Sequence, residues 1–186
     1  MNFLKLTKPA LAFLLVAAIT MSGCKKEARV YDLLPPDPEV ETDITYLGTL
    51  SVNLENSGGV NAGEGSPKLV DGDLTTKYLI NPYVNNLYLQ ITFRTAQRVA
   101  AYQLTSANDA ATRDPKDWKL QGSNDGTTWV DLDTRTGETF PSRGLTKRYD
   151  YTNTTDYKIY RISITANGGN GLFQLAEWSL IKVPLV

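Results

Sequence analysis

A short acidic loop carries the residue types best suited to metal chemistry in this sequence. Asp71, Asp73 and Thr76 lie within six residues of one another, around Gly72, which lets a loop turn tightly. Hard cations such as calcium take carboxylate, hydroxyl and backbone carbonyl oxygens as ligands. The spacing is not that of an EF-hand, because the alternating acids and the distant bidentate glutamate are absent. The loop is therefore either a cation site or an exposed turn with solvated acids.

The other chemistry-bearing residues give little support for catalysis. The chain has no histidine, its one cysteine is Cys24, and no serine stands in a G-x-S-x-G setting. Nothing singles out two carboxylates that would face a cleft as an acid–base pair. The residues therefore favour a binding protein over an enzyme.

Cys24 follows a segment typical of bacterial export signals. Lys5 and Lys8 precede an uncharged apolar run, residues 10–19, that is short for a membrane span. The small residues before Cys24 resemble the lipobox of bacterial lipoproteins, which implies cleavage before Cys24 and lipidation of its sulfur and new amine. The alternative is an ordinary signal peptide whose cleavage site includes a cysteine. We expect residues 1–23 to be a lipoprotein signal peptide and the lipid at Cys24 to anchor the protein in the outer membrane, at the cell surface of a Gram-negative bacterium.

The next segment has the composition of a spacer. Residues 24–45 contain Pro35, Pro36, Pro38 and several acids, which favour an extended linker. The domain is predicted to span residues 46–186, enough for one domain of ordinary size. The net charge of −1 gives no sign of the basic stripe that nucleic-acid binding requires.

Short alternating runs separated by turn residues predict the fold. The stretch from Asp114 to Leu132 predicts a β-hairpin in which Trp118 and Leu120 share one face and Asp125-Gly126 supply the positive backbone torsions of the reversal. Further strands are predicted at residues 46–54, 86–93, 99–105, 148–153, 157–165 and 172–183, whereas residues 68–76 are expected to make at most a turn or two of helix. About eight such strands favour an all-β antiparallel sandwich or jelly roll over a parallel sheet.

The tryptophans are expected to be structural. Trp118, Trp129 and Trp178 all fall in predicted strands, so packing in the core is the preferred interpretation for each of them.

The span from Tyr46 to Val186 resembles a discoidin-type domain. This is the galactose-binding-like β-sandwich of the coagulation-factor type C modules and of carbohydrate-binding module family 32. The resemblance is carried by four segments in the expected order: KLVDGDLTT at residues 68–76, SNDG at 123–126 followed by Trp129, YRI at 160–162, and AEW at 176–178.

The resemblance implies a structural calcium ion. Its ligands would be the backbone carbonyls of Lys68 and Asp73, the side chain of Asp71, and the carbonyl and hydroxyl of Thr76. The carbonyl of Ala176 and the carboxylate of Glu177 would complete the shell. Such an ion would join the first long loop to the last strand.

The resemblance also implies that sugars bind on loops at one end of the sandwich. There an aromatic ring stacks on the sugar, and charged and amide groups bond its hydroxyls. The candidate loops are residues 77–85, 106–117, 140–143 and 167–172. They contribute Tyr78, Asn81, Tyr83, Asn108, Asp109, Arg113, Phe140, Arg143, Asn170 and Phe173 as candidate ligand-binding residues.

Departures from the family pattern leave a second function open. Many galactose-binding members use a histidine that this chain lacks, and small residues around Ala107 replace the family's arginine. Arg113 is as consistent with an internal pair in Arg113-Asp114-Pro115 as with ligand contact. The leading hypothesis is a non-catalytic module that holds glycan at the cell surface. The alternative is a protein-docking or assembly module of an outer-membrane complex, with an envelope protein as partner.

Overall fold

The computed structural model describes residues 40–184, which fall within one compact unit, Pro36–Val186. The predicted signal peptide, Cys24 and most of the predicted linker lie outside the described residues. Eleven strands occur in the described part of the chain: β1 (Thr42–Asp43), β2 (Gly48–Val52), β3 (Tyr78–Ile80), β4 (Leu87–Gln97), β5 (Ala101–Thr105), β6 (Pro115–Ser123), β7 (Val130–Arg135), β8 (Thr146–Asp150), β9 (Tyr157–Asn167), β10 (Phe173–Leu175) and β11 (Glu177–Lys182). Three short 3-10 helices lie at Thr45–Leu47, Ser66–Leu69 and Ala111–Arg113.

Two main antiparallel sheets enclose the core. The five-stranded sheet has the order β2-β4-β9-β6-β7, and the four-stranded sheet has the order β1-β11-β5-β8. A two-stranded ribbon of β10 and β3 completes the described structure. Every strand pair is antiparallel, so the prediction of an all-β antiparallel sandwich is confirmed.

Alternation along the strands explains how the sheets pack. Leu87, Leu89, Ile91 and Phe93 are all buried on one face of β4, as their spacing predicts. They join a single hydrophobic cluster with side chains of β5, β9 and β11. The residues between them on β4 are half-buried or exposed, which leaves the outer face of this sheet open and polar.

The predicted hairpin is present, with a longer loop than expected. β6 pairs with β7 from Trp118 to Gly122, and residues 124–129 connect them. Gly126 has a φ of +74°, as predicted, whereas the positive φ predicted for Asp125 is absent. The Asp125 carboxylate accepts hydrogen bonds from the backbone N–H groups of Thr127 and Thr128 at 2.8 and 2.7 Å, and this fixes the loop.

The folded region begins ahead of the predicted boundary at residue 46. Thr42 and Asp43 pair with the last strand, β11. Ile44 is buried in the core, and the Thr45 hydroxyl accepts a hydrogen bond from the Leu180 amide at 2.7 Å. The sequence did not predict this strand, because its side chains lie at a sheet edge and are polar.

No helix within residues 40–184 has the length and apolar character needed to cross a bilayer.

Candidate functional site

Four loops meet at one end of the sandwich, as the sequence predicts. They connect β3 to β4, β5 to β6, β7 to β8, and β9 to β10. The Tyr83 amide donates to the Gly171 carbonyl at 2.7 Å, and the Asn170 side-chain amide donates to the Thr112 hydroxyl at 3.2 Å. The Gly168 amide donates to the Asp114 carbonyl at 3.0 Å. These bonds hold three of the loops together, and we call this region the loop end.

Arg143 joins the fourth loop to the β5–β6 loop. Its guanidinium forms a two-point pair with the Asp114 carboxylate, with N···O distances of 3.0 and 2.6 Å. It also donates to the carbonyls of Asp109 and Phe140, both at 2.8 Å. The hydrogen bond that Arg143 donates to the buried Asp114 carboxylate raises the pKa of Arg143. Arg143 therefore positions loops. Arg113 does pair with a carboxylate of its own loop, as the alternative interpretation proposed, but that carboxylate is Asp109 and not Asp114.

Lys77 and Arg113 share a different carboxylate. The Lys77 ammonium is almost fully buried and lies 2.8 Å from Asp109 and 3.2 Å from the Asn108 side-chain oxygen. Arg113 reaches the same Asp109 carboxylate at 3.5 Å. Burial alone would raise the pKa of Asp109, but the hydrogen bond and charge of Lys77 outweigh it and hold that pKa below its usual value. This network stabilises the conformation of the loop end. The sequence analysis did not single out Lys77.

The predicted stacking rings are not available to a ligand. Tyr78 and Phe173 are fully buried and pack edge to face, and Phe140 is only 4 % exposed. Tyr83 is half-buried and stacks on Phe173 at 6.0 Å between centroids. The prediction of ligand contact is therefore wrong for Tyr78 and Phe173, because β3 and β10 form a ribbon whose side chains complete the core. Phe140 contributes only an edge to the surface.

The polar candidates are placed differently. Asn81 is exposed beside the cis peptide bond to Pro82, and Asn108 and Asp109 are exposed at the rim. Asn170 is half-buried, and its side-chain oxygen accepts the Leu172 amide at 3.0 Å.

A cleft of about 270 Å³ opens at the loop end, between the β5–β6 and β7–β8 loops. Its lining includes Thr112, Lys116, Glu138 and Thr139, none of which the sequence analysis singled out, with Phe140 and Gly168 forming part of the wall. Glu138 is held by Lys147 and by the Tyr149 hydroxyl through one carboxylate oxygen. The cleft therefore presents hydroxyl, ammonium and carboxylate groups next to a small apolar surface.

The acidic loop and the last strand come together at the candidate cation site. Gly72 donates its amide to the Glu177 carboxylate at 3.0 Å, and the Asp71 carboxyl lies beside Glu177. The Thr76 hydroxyl lies 3.0 Å from Asp71 and 3.1 Å from the backbone carbonyl of Asp73. The expected juxtaposition of Asp71, Thr76 and Glu177 is therefore present.

Two carboxyl groups lie together at this site. Burial, followed by the neighbouring Asp71 carboxyl, raises the pKa of Glu177 from 4.5 to about 8. The side chain of Asp73 accepts the Thr75 amide at 2.9 Å, and its carbonyl accepts the Thr76 amide at 3.0 Å. Lys68 pairs with Asp71 at 3.0 Å through its ammonium. No group of three or more His, Cys, Asp or Glu residues suited to a metal occurs among residues 40–184, so any ion here depends on neutral oxygens as well.

Comparison with known proteins identifies the family. The model of the F5/8 type C domain matches residues 51–178, and the chain therefore belongs to the F5/8 type C domain family. Its fold is similar to the F5/8 type C domain of a Bacteroides fragilis protein, with a TM-score of 0.64 and 14 % identity over 81 % of this chain and 100 % of the other. It is also similar to the family 32 carbohydrate-binding module of Clostridium perfringens NanJ in complex with galactose, with a TM-score of 0.62 and 16 % identity over 77 % of this chain and 100 % of that one.

A segment of the chain is also similar to part of a plant enzyme. The chain is 54 % identical over 56 residues to the peptide-N(4)-(N-acetyl-beta-glucosaminyl)asparagine amidase of Arabidopsis thaliana. The match covers 30 % of this chain and 8 % of the amidase. It thus concerns a small part of that protein.

Proposed function

We propose that this domain is a non-catalytic glycan-binding module whose ligand site is the loop-end cleft. The observation that carries the proposal is the cleft itself, about 270 Å³ in volume, where the loops of an F5/8 type C domain converge. Hydroxyl, ammonium and carboxylate groups from Thr112, Lys116 and Glu138 suit the hydroxyls of a sugar, and the edge of Phe140 supplies an apolar contact. The similarity to a module crystallised with galactose supports the same assignment.

The loops that form the cleft are held in place before any ligand binds. Arg143 ties together the β5–β6 and β7–β8 loops through Asp114, and Lys77 braces the first of these through Asp109. A rigid cleft avoids the entropic cost of ordering loops on binding. The absence of a fully exposed ring in the cleft lining limits stacking, so we expect weak binding by a single site, with a Kd of about 1 mM, or roughly −4 kcal/mol.

We further propose that calcium joins the acidic loop to β11 as a structural ion. Asp71, Thr76 and Glu177 are brought together by the fold, and Lys68, Asp73 and Ala176 lie on the same two segments. A divalent cation would stabilise both carboxylates in their charged forms. Its role would be to fix the acidic loop, with no part in chemistry.

The cellular setting is part of the proposal. The export segment and Cys24 support a lipoprotein of the outer membrane, on which the domain would hold glycan near the cell surface.

The test is a glycan array followed by titration calorimetry on the best ligand. Ala111 is exposed and lines the cleft, so Ala111→Trp is expected to fill it and abolish binding without disturbing the core. Thr155→Trp places the same ring on an exposed loop at the other end of β8 and should bind like the original chain. Equal binding by all three proteins would overturn the assignment of the cleft.

Protein docking is the second candidate function. It is favoured by the burial of Tyr78, Phe140 and Phe173, which leaves the loop end without the exposed sugar platform typical of glycan modules. Cross-linking in the cell envelope separates the two functions. Loss of one specific protein cross-link in Ala111→Trp but not in Thr155→Trp, with no glycan bound by the original chain, would favour docking.

A further inference from the structure

An arginine lies between two aromatic rings on the open face of the five-stranded sheet. The guanidinium carbon of Arg161 is 4.0 Å from the ring centroid of Tyr88 and 3.8 Å from that of Trp129. Arg161 and Tyr88 both alternate with core residues along β9 and β4, so their side chains lie on the outer face. The expectation that Trp129 packs in the core is wrong, because it precedes β7 and is half-exposed beside Arg161.

The guanidinium is held in a fixed plane but has no acidic partner. Its Nε and Nη2 atoms both donate to the Gln90 side-chain oxygen, at 3.2 and 2.8 Å. Within residues 40–184 no carboxylate lies within 4.0 Å of Arg161. Burial lowers the pKa of Arg161, which nevertheless stays cationic at neutral pH. A partly desolvated charge of this kind gains more from an anion than an arginine in bulk water does.

Two arginines on this face, Arg161 and Arg94, have no ion-pair partner among residues 40–184, although the chain has a net charge of −1. Asp131 is already engaged by Lys119 at 2.6 Å and by Gln121 at 2.7 Å. Arg94 lies on the same face of β4, is exposed, and forms no ion pair with another residue in the described part of the chain. Arg94 is four positions along β4 from Gln90, which is a distance of about 13 Å. Gln90 is the cross-strand neighbour of Arg161.

The face has the polarity of a saccharide site and lacks that of a protein interface. Ser163, Gln121 and Thr92 present hydroxyl and amide groups around the arginine, on neighbouring strands. The nearest exposed large apolar side chain on this sheet is Val130, at its margin. Tyrosine, tryptophan and arginine are also common in protein interfaces, but the side chains around these three are polar, whereas the core of a protein interface is apolar. Amides and hydroxyls beside aromatic rings match the hydroxyls of a sugar.

We propose that this face, which we call the Arg161 face, binds a carboxylate-bearing sugar of an acidic polysaccharide. The carboxylate would bind the free edge of the Arg161 guanidinium, whose plane Tyr88, Trp129 and Gln90 fix. The side chains of Gln121 and Ser163 would bond neighbouring hydroxyls. This site lies on the flat of the sheet and is independent of the loop-end cleft, so either can fail without the other.

The test is a titration of the 186-residue chain with a trisaccharide of galacturonic acid, followed by tryptophan fluorescence. Of the three tryptophans, Trp118 and Trp178 are buried and only Trp129 is accessible, so the emission reports on the Arg161 face. The fully methyl-esterified trisaccharide is the neutral control ligand. We expect a saturable change with the acid, a much weaker one with the ester, and weaker binding of the acid as salt is added.

Three variants assign the effect. Arg161→Gln should weaken binding at least about tenfold, which is the scale of one lost charge-assisted contact. Arg148→Gln removes a charge from the four-stranded sheet and should leave affinity unchanged. Ala111→Trp fills the loop-end cleft and should also leave it unchanged. Thermal melts of each variant confirm that it folds, and Arg161→Lys tests binding where the planar guanidinium is lost but the charge is kept.

Several results would overturn the proposal. One is the absence of a saturable change with the acidic trisaccharide, and another is equal binding of acid and ester. Equal losses of affinity in Arg161→Gln and Arg148→Gln would show that binding rests on general charge attraction. Tighter binding of a glutamate-rich peptide than of the trisaccharide would indicate a protein partner. If Arg161→Gln lowers stability but binds normally, the stacked arginine only braces the sheet.

Discussion

Replacing Arg143 with alanine should destabilise the domain. The Arg143 side chain is 27 % exposed, but its partner Asp114 is only 4 % exposed. Without Arg143, the Asp114 carboxylate keeps one side-chain neighbour, the Gln174 amide at 3.4 Å. Removing one partner of a buried pair costs about 3–5 kcal/mol. Because Arg143 is partly exposed, we expect the lower end, about 3 kcal/mol, and a fall in melting temperature of about 10 °C.

Urea unfolding of the original chain and four variants measures this effect. Asp114→Asn should cost less than Arg143→Ala, because the amide leaves no buried charge. The double variant Arg143→Ala, Asp114→Asn should cost less than the sum of the two single changes, by about 1–3 kcal/mol, because the two residues share one interaction. Arg148→Ala removes two exposed ion pairs, with Asp150 and with Glu41, and should stay within about 1 kcal/mol of the original chain.

The reasoning would be refuted by a stable Arg143→Ala protein. A change within about 0.5 kcal/mol, or strictly additive variants, would mean that Arg143 does not position the loops. If such a protein also lost glycan binding, Arg143 would be a ligand contact, as its sequence position first indicated.

Three further changes test the cation site, a close packing contact and a buried tyrosine. If calcium binds, a chelator should lower the melting temperature of the original chain by about 5–10 °C and have no effect on Glu177→Gln; equal melts of the original chain with and without chelator would contradict the calcium site. Gly122→Ala should cost about 1–3 kcal/mol in urea unfolding, because the added carbon would lie 2.6 Å from the Tyr157 ring, whereas Gly63→Ala, with open space around it, is the neutral control. Burial raises the pKa of Tyr160 from 10.0 to about 12, so the neutral phenol stabilises the fold up to pH 10 and that contribution is lost as the pH rises to 12. A denaturant series at those pH values should show a smaller loss for Tyr160→Phe, and an equal loss would contradict this account.

Local patterns were sufficient to predict the scaffold. Alternation along Leu87 to Phe93 identifies the buried face of β4, and Asp125-Gly126 mark the reversal after β6. The positions of Asp71 and Glu177 became meaningful only through the family resemblance, because they are distant in sequence and meet only where the acidic loop packs against β11.

Side-chain exposure at the loop end could not be predicted in the same way. By sequence, Tyr78 stands in a loop and Phe173 follows one, at the start of a predicted strand, yet the three-residue strands β10 and β3 pair and bury both. Such short strands carry too few residues to show a period. For Trp129 the error is the opposite one. It was expected in the core, but it lies one residue before β7 and is half-exposed. The partner of Arg143 depends on the contact between two loops, and no local sequence pattern indicates that contact.

The most direct test of the account is amide chemical-shift mapping with the best ligand from the glycan array. The account predicts that a saturating neutral glycan shifts resonances of residues 111–116, 138–140 and 168–170, which surround the loop-end cleft, and leaves those of β2 and β8 unchanged. Shifts confined to other surfaces, or no shifts at about 10 mM glycan, well above the expected Kd, would contradict the claim that the loop end is a sugar-binding site.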